Sequence, residues 1–178
     1  GHYEVRGGWR GNPFHRDNNV NGIDGDPQRG GNGLQSHTLK DRKILGVQEN
    51  YVRKVVDTLN DLDNVLFEIS NEGDKSSWEW QEHWVRFIHA HEKSKAKQHP
   101  IGLTALYMED AARNNRMLEA SSADWISPLV DAKGIQDLPA AGGSKVGVLD
   151  SDHWFVKEIY GDAVFGRGPA ADPAAGGH

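Results

Sequence analysis

Along the middle of the chain, short β-type runs alternate with segments of helical apolar spacing, and this alternation constrains the fold more than any other feature. The β-type runs cover residues 64–70, 101–106, 125–127 and 146–149, and the helical segments cover residues 47–59, 77–98 and 111–120. Strands separated by helices form βαβ units with a parallel sheet. The sequence therefore predicts an α/β fold with its helices outside a parallel sheet.

Two of the helical segments have a recognisable apolar face. The first carries Val47, Tyr51, Val52, Val55, Val56 and Leu59. Before the second, Ser76 and Glu79 have the spacing of a capping box. One face of this second helix carries Trp80, Trp84, Phe87, Ile88 and His91, and we expect that face to pack against the sheet.

Glycine-rich segments flank the alternating region. Residues 7–46 are rich in Gly and Asn and have almost no apolar periodicity, which predicts a long N-terminal loop. Loops of this length are usually binding loops or disordered ones. Residues 166–178 have no apolar face to bury, so we expect one domain over residues 1–165 and a disordered tail over residues 166–178.

Composition excludes several classes of function. The 178 residues carry a net charge of −6, which leaves no basic surface for nucleic acid. No run of about 18 apolar residues is present, so we expect no membrane span. The absence of cysteine excludes disulfides but does not fix the compartment. The chain does not open on a signal peptide, which leaves either the cytoplasm or a secreted or periplasmic parent protein.

Polar residues follow the predicted strands at the point where each strand ends. Asn71 and Glu72 follow the first strand, Glu109 and Asp110 follow the second, and Asp150 and Asp152 follow the last. In parallel sheets, ligands bind beyond the carboxyl ends of the strands. These residues are therefore the candidates for chemistry.

The first strand has a glutamate near its middle. Strand alternation places Leu66, Glu68, Ser70 and Glu72 on one face. A buried carboxylate is costly unless it is hydrogen-bonded, so Glu68 indicates either a polar lumen or an edge strand with one solvated face. Alternation alone leaves both interpretations open.

The string LFEISNEG resembles the fourth strand of retaining glycoside hydrolases of the large (β/α)8 clan, in which an Asn-Glu pair ends the strand. The segments WRGNPFHRDNNVNGIDGD, HTL, QENYVRKVVDTLNDLDNVLFEISNEG, HWVRFIHAHEKSKAKQHPIGLT, ADWISP and VGVLDSDH extend the resemblance to the apiosidase-like and cellulase-like bacterial group of these barrels, whose members are often described as collagen-binding. The resemblance implies a carbohydrate substrate, cleavage of O-glycosidic bonds and a TIM barrel.

The resemblance also implies roles for individual residues. Glu72 is the implied proton donor, and Asn71 orients a sugar hydroxyl. The partner carboxylate is Asp150 or Asp152, where the family has Glu. Carboxyl groups about 5–5.5 Å apart give a retaining mechanism, and groups ~6.5–9.5 Å apart give an inverting one; the sequence does not distinguish these outcomes.

Further residues are candidates for binding substrate. They are Asn18 and Asn19 of the N-terminal loop, His153, and the rings of Trp9, Trp125 and Trp154, which could stack on sugar faces. The alternative for each tryptophan is core packing. We expect no cofactor and no metal, because His83, His89 and His91 lack the four-residue spacing that brings two ligands together on a helix.

The predicted strands correspond to strands three to seven of the family, with a remnant of the third over residues 3–9. We therefore expect a partial barrel, an interior fragment of a longer enzyme, and poor activity of the fragment alone. The alternatives are a non-catalytic barrel module that binds carbohydrate or protein, and a truncated product without function. The sequence does not predict the oligomeric state.

Overall fold

A computed structural model describes residues 8–106, 110–129 and 145–148, and it shows an α/β fold. The elements in chain order are α1 (Arg42–Leu59), β1 (Phe67–Glu68), α2 (Trp78–Glu92), β2 (Ile101–Thr104), α3 (Ala111–Ala120), β3 (Trp125–Ser127) and β4 (Val146–Gly147). The four strands form one sheet in the order β1-β2-β3-β4, and every pair is parallel. The predicted α/β class is confirmed.

The N-terminal loop contains more structure than its composition predicts. Short 3-10 turns lie at Trp9–Gly11 and Leu34–His37. The predicted strand remnant over residues 3–9 is wrong at Trp9, which lies in the first of these turns; residues 3–7 are outside the described part. The loop ends at Asp41, five residues earlier than predicted, because its carboxylate caps α1 by accepting from Lys43 N and Ile44 N.

Helix α1 buries less of its apolar row than the sequence predicts. Ile44, Leu45 and Val56 are buried, and Val52 packs against the core. Tyr51, in contrast, is 69% exposed, and Val47 is also exposed. The predicted face is therefore divided between the core and a surface-exposed row.

Helix α2 has the predicted core face but different ends. Trp80, Trp84 and Ile88 are buried. The predicted capping box is wrong, because the Ser77 side chain does not cap the helix and a 3-10 turn over Lys75–Ser77 precedes it. Asp74 caps that turn by accepting from Ser76 N. At the other end the helix stops at Glu92, six residues before the predicted end.

The core lies between the sheet and the helices. Every residue of β2 is buried, and the central cluster consists of Val56, Val85, Ile88, Ile101, Leu103, Leu118, Ala123 and Ile126. Gly102 lies directly under the Trp125 indole, since a Cβ on Gly102 would be 1.9 Å from Trp125 Cε2. Glycine is therefore required at this point of β2.

A hydrogen-bonded group built around two buried side chains, which we name the basal cluster, joins the elements at the amino end of the sheet. It consists of Asn60, Leu62, Glu92 and His99. Glu92 accepts from His99 N at 2.8 Å, from His99 Nδ1 at 2.6 Å and from Asn60 Nδ2 at 3.2 Å. His99 Nε2 lies 2.8 Å from the Leu62 carbonyl oxygen. Both ring nitrogens face acceptors, an arrangement that favours the protonated form of His99 over either neutral tautomer.

Candidate functional site

Glu72 lies at the carboxyl end of the sheet, in the bend that follows β1. It is half-buried, and its φ of 49° places it in the left-handed region. A residue with a Cβ pays roughly 1–2 kcal/mol for this conformation. On the strand side, Thr104 Oγ1 donates to the Ser70 carbonyl at 2.8 Å and ties the segment to β2. Strained non-glycine residues cluster at functional sites, so the backbone supports Glu72 as a candidate.

The face of β1 that carries Glu68 is exposed. Leu66 and Glu68 are exposed, whereas Phe67 and Ile69 pack against the core. The predicted alternation is confirmed. Among the described strands β1 pairs with β2 alone, which agrees with the edge-strand interpretation of Glu68.

The partner carboxylates that the family resemblance implies follow β4, at the far end of the sheet from Glu72. Asp150 and Asp152 lie outside the described residues, as do His153 and Trp154. The strand before them, β4, is three strands from β1, which is ~14 Å across a flat sheet with a spacing of about 4.8 Å. A carboxylate pair at catalytic separation therefore requires the sheet to curve, and the pairing stays a prediction.

The asparagines of the N-terminal loop build the loop itself. Asn18 Nδ2 donates to the carbonyls of Arg10 and Asn12. Asn19 donates to the carbonyls of His15 and Ile23, and its Oδ1 accepts from Ile23 N at 3.0 Å. The amide of Asn19 is thus used in full for loop structure. Asn19 also lines the apolar cavity described below, and its role in binding substrate stays a prediction. Asn71 is exposed beside Glu72.

The two described tryptophans among the predicted sugar platforms are buried. Trp9 is 6% exposed and packs against Gly25 and Gly33. Trp125 is 7% exposed and covers Gly102. With so little of either ring exposed, no ring face is available for a sugar to stack on. Both tryptophans instead pack in the interior, which was the alternative interpretation of the sequence.

Two cavities flank the N-terminal loop. One, of about 820 Å³, has mainly apolar walls from the loop, α1 and the core side of β1. The other, of about 580 Å³, is polar and is lined by Trp9, Arg10, Arg16, Asn18, Asp24 and Arg29, among others. The Arg29 guanidinium holds the pKa of Asp24 below its usual value. Glu72 lines neither of these two cavities.

The described residues contain no cluster of three metal-ligating His, Asp or Glu side chains. His89 binds Asp124 and His91 binds Asp57, while burial lowers the pKa of His83. No described helix has the length and hydropathy needed to cross a bilayer.

Sequence reasoning missed one buried polar residue near Glu72. Gln81 lies on the core face of α2 with no exposed surface. Gln81 lies three residues before Trp84 and seven before Ile88, so helical spacing places it on the same apolar face. A polar residue within that apolar face was the sequence signal that could have identified Gln81.

Comparisons of the chain with protein-family models, curated proteins and solved structures return no match.

Proposed function

We propose that this chain is part of a glycoside hydrolase in which Glu72 protonates the leaving oxygen of an O-glycosidic bond. The observation that carries the proposal is the placement of Glu72 in the bend that follows a parallel strand, in a left-handed backbone conformation. The strand ends are where α/β proteins bind their ligands.

The chemistry requires a second acid. One carboxyl group must protonate the leaving group, and a second must be ionised to stabilise the oxocarbenium charge or to activate water. We assign this second role to Asp150 or Asp152, which follow β4. Carbohydrate is the substrate class, with sugar hydroxyls within reach of the exposed Asn71.

Hydrolysis of fluorogenic aryl glycosides tests the proposal. We expect slow turnover by the 178-residue chain, because the four described strands do not enclose a lumen that would exclude water. Glu72→Gln should abolish that turnover. Glu79→Gln, the same change at an exposed position on α2, should leave it unaltered.

Two results would contradict the acid assignment: turnover that survives Glu72→Gln, and turnover that Glu79→Gln lowers equally.

A non-catalytic carbohydrate-binding module is the second candidate function. The polar cavity of the N-terminal loop favours it, since three arginines and three aspartates line it and can donate to and accept from sugar hydroxyls, although Arg29 is paired with Asp24 there. Such a module does not require a second carboxylate near Glu72. Saturable binding of an oligosaccharide that Arg10→Ala weakens, without turnover, would support this function over hydrolysis.

A further inference from the structure

The bend that carries Glu72 lies against the buried side chain of Gln81. Gln81 has no exposed surface, and its Nε2 donates to Ser77 Oγ at 2.8 Å. Ser77 Oγ in turn donates to the Asp74 carbonyl at 2.6 Å. These two hydrogen bonds hold the Gln81 amide against the 3-10 turn that precedes α2.

Gly73 lies directly against this amide. A Cβ on Gly73 would be 2.3 Å from Gln81 Nε2 and 2.9 Å from Ser77 Oγ. Contacts under 3.0 Å do not occur for real Cβ atoms, so a larger residue would displace the backbone or the amide. The backbone at Gly73 therefore passes so close to Gln81 and Ser77 that only glycine fits there without a shift.

Glu72 lies between two fixed points. On the strand side, the Ser70 carbonyl accepts from Thr104 Oγ1, and on the helix side, Gly73 lies in close contact with the Gln81 amide. A left-handed residue persists only when its surroundings determine the conformation. These two contacts supply that constraint for the φ of 49° at Glu72.

The glutamine at position 81 lowers the stability of the folded protein. Its Oε1 is buried and accepts no hydrogen bond from the described part of the chain. An unsatisfied buried acceptor destabilises the folded state, and a methionine of similar length would fill the space without that penalty. A buried polar residue at such a position needs an explanation other than packing.

We propose that Gln81 is a positioning residue, whose buried amide packs against Gly73 and thereby holds Glu72 in its left-handed backbone conformation. The catalytic meaning of this position rests on the proposed function, whereas the conformational effect does not.

Gln81→Met tests the inference, with NMR of Glu72 as the direct readout. We expect a change in the Glu72 backbone coupling that reports φ, and a change in its side-chain carboxyl chemical shift. Gln28→Met, at an exposed loop position, is the matched control and should leave both signals at their wild-type values. If Gln81→Met does not fold, Ser77→Ala, which removes the acceptor of the Gln81 amide, should move the same signals.

Hydrolysis of aryl glycosides separates this inference from the proposed function. If Gln81→Met lowers kcat by about 100-fold, the loss expected for a misplaced group, and leaves KM within about twofold, the positioning role is supported. If the Glu72 signals change but Glu72→Gln does not abolish wild-type turnover, the proposed function fails and the conformational inference stands. If the folded variants leave the Glu72 signals unchanged, the inference is overturned, whatever the activity.

Discussion

Replacing Glu92 by glutamine should destabilise the protein strongly, because Glu92 is the shared acceptor of the basal cluster. Glu92 is 1% exposed and His99 is 5% exposed, so neither charge is compensated by water. Removing one partner of a buried ion pair costs ~3–5 kcal/mol. Glutamine keeps one acceptor oxygen, but its NH2 group takes the place of the other oxygen and faces N–H donors of His99 or Asn60. We therefore expect a loss of about 3 kcal/mol in the free energy of unfolding, at the lower end of that range.

Urea unfolding at pH 6, followed by tryptophan fluorescence, measures this loss. Glu79→Gln on the exposed side of α2 is the control and should change the free energy of unfolding by less than about 0.5 kcal/mol. A loss below about 1 kcal/mol for Glu92→Gln would show that the carboxylate does not compensate a buried charge, and would refute the reasoning.

The pH dependence gives a second, independent readout of the same cluster. The Leu62 carbonyl and the Glu92 carboxylate both accept from the His99 ring and raise its pKa above 6.5, against the opposing effects of burial and of the Lys97 charge. Lys97 lowers the pKa of the Asp63 carboxyl group, and the charge of His99 adds to this effect. Because the folded pKa is raised, the stability from protonated His99 is complete below pH 6.5 and is lost as pH rises through the folded value. Glu92→Gln should reduce this decline without abolishing it, since the Leu62 contact remains.

Three further predictions concern packing and burial. Trp84→Ala should cost ~3–5 kcal/mol in urea unfolding, because the ring is buried among Trp80 and Phe87, whereas Ala at the exposed Tyr51 should cost less than about 1 kcal/mol. Gly102→Ala should disturb the near-UV circular dichroism, since the new Cβ would meet the Trp125 ring; an unchanged spectrum would contradict the packing. Burial lowers the pKa of His37 to about 4, so NMR should show its ring neutral at pH 5.5, and the stability that it contributes should be lost as pH falls from 6.5 toward 4.

The sequence predicted the features that depend on periodicity. The alternation of strands and helices led to the parallel α/β sheet, and the spacing of Trp80, Trp84 and Ile88 identified the core face of α2. Alternation also distinguished exposed Glu68 from half-buried Phe67 and Ile69. These properties are determined by the backbone repeat, so a pattern in one segment suffices to predict them.

Features that depend on contacts between distant segments could not be predicted. The exposure of Tyr51 depends on which side of α1 the sheet covers, and the burial of Trp9 depends on the return of the loop at Gly33. The left-handed φ of Glu72 depends on Gly73 meeting Gln81, eight residues further along the chain. The predicted capping box does not form at Ser76. Glu79 would have to accept from the Ser76 backbone N–H, but that N–H donates to Asp74 Oδ1. In each case the deciding partner is identified only once the chain is folded.

The parallel order of the sheet has a consequence for folding kinetics. The partners Phe67 and Ile101 are 34 residues apart in sequence, and Gly102 and Trp125 are 23 apart. Contacts of such separation form slowly, because each closes a long loop before any pairing is gained. Hydrogen bonds of the N-terminal loop, such as those of Asn19, span only a few residues. We expect the loop and helices to form first and the apolar strand β2 to stay exposed until both neighbours dock, so that refolding yield falls as protein concentration rises.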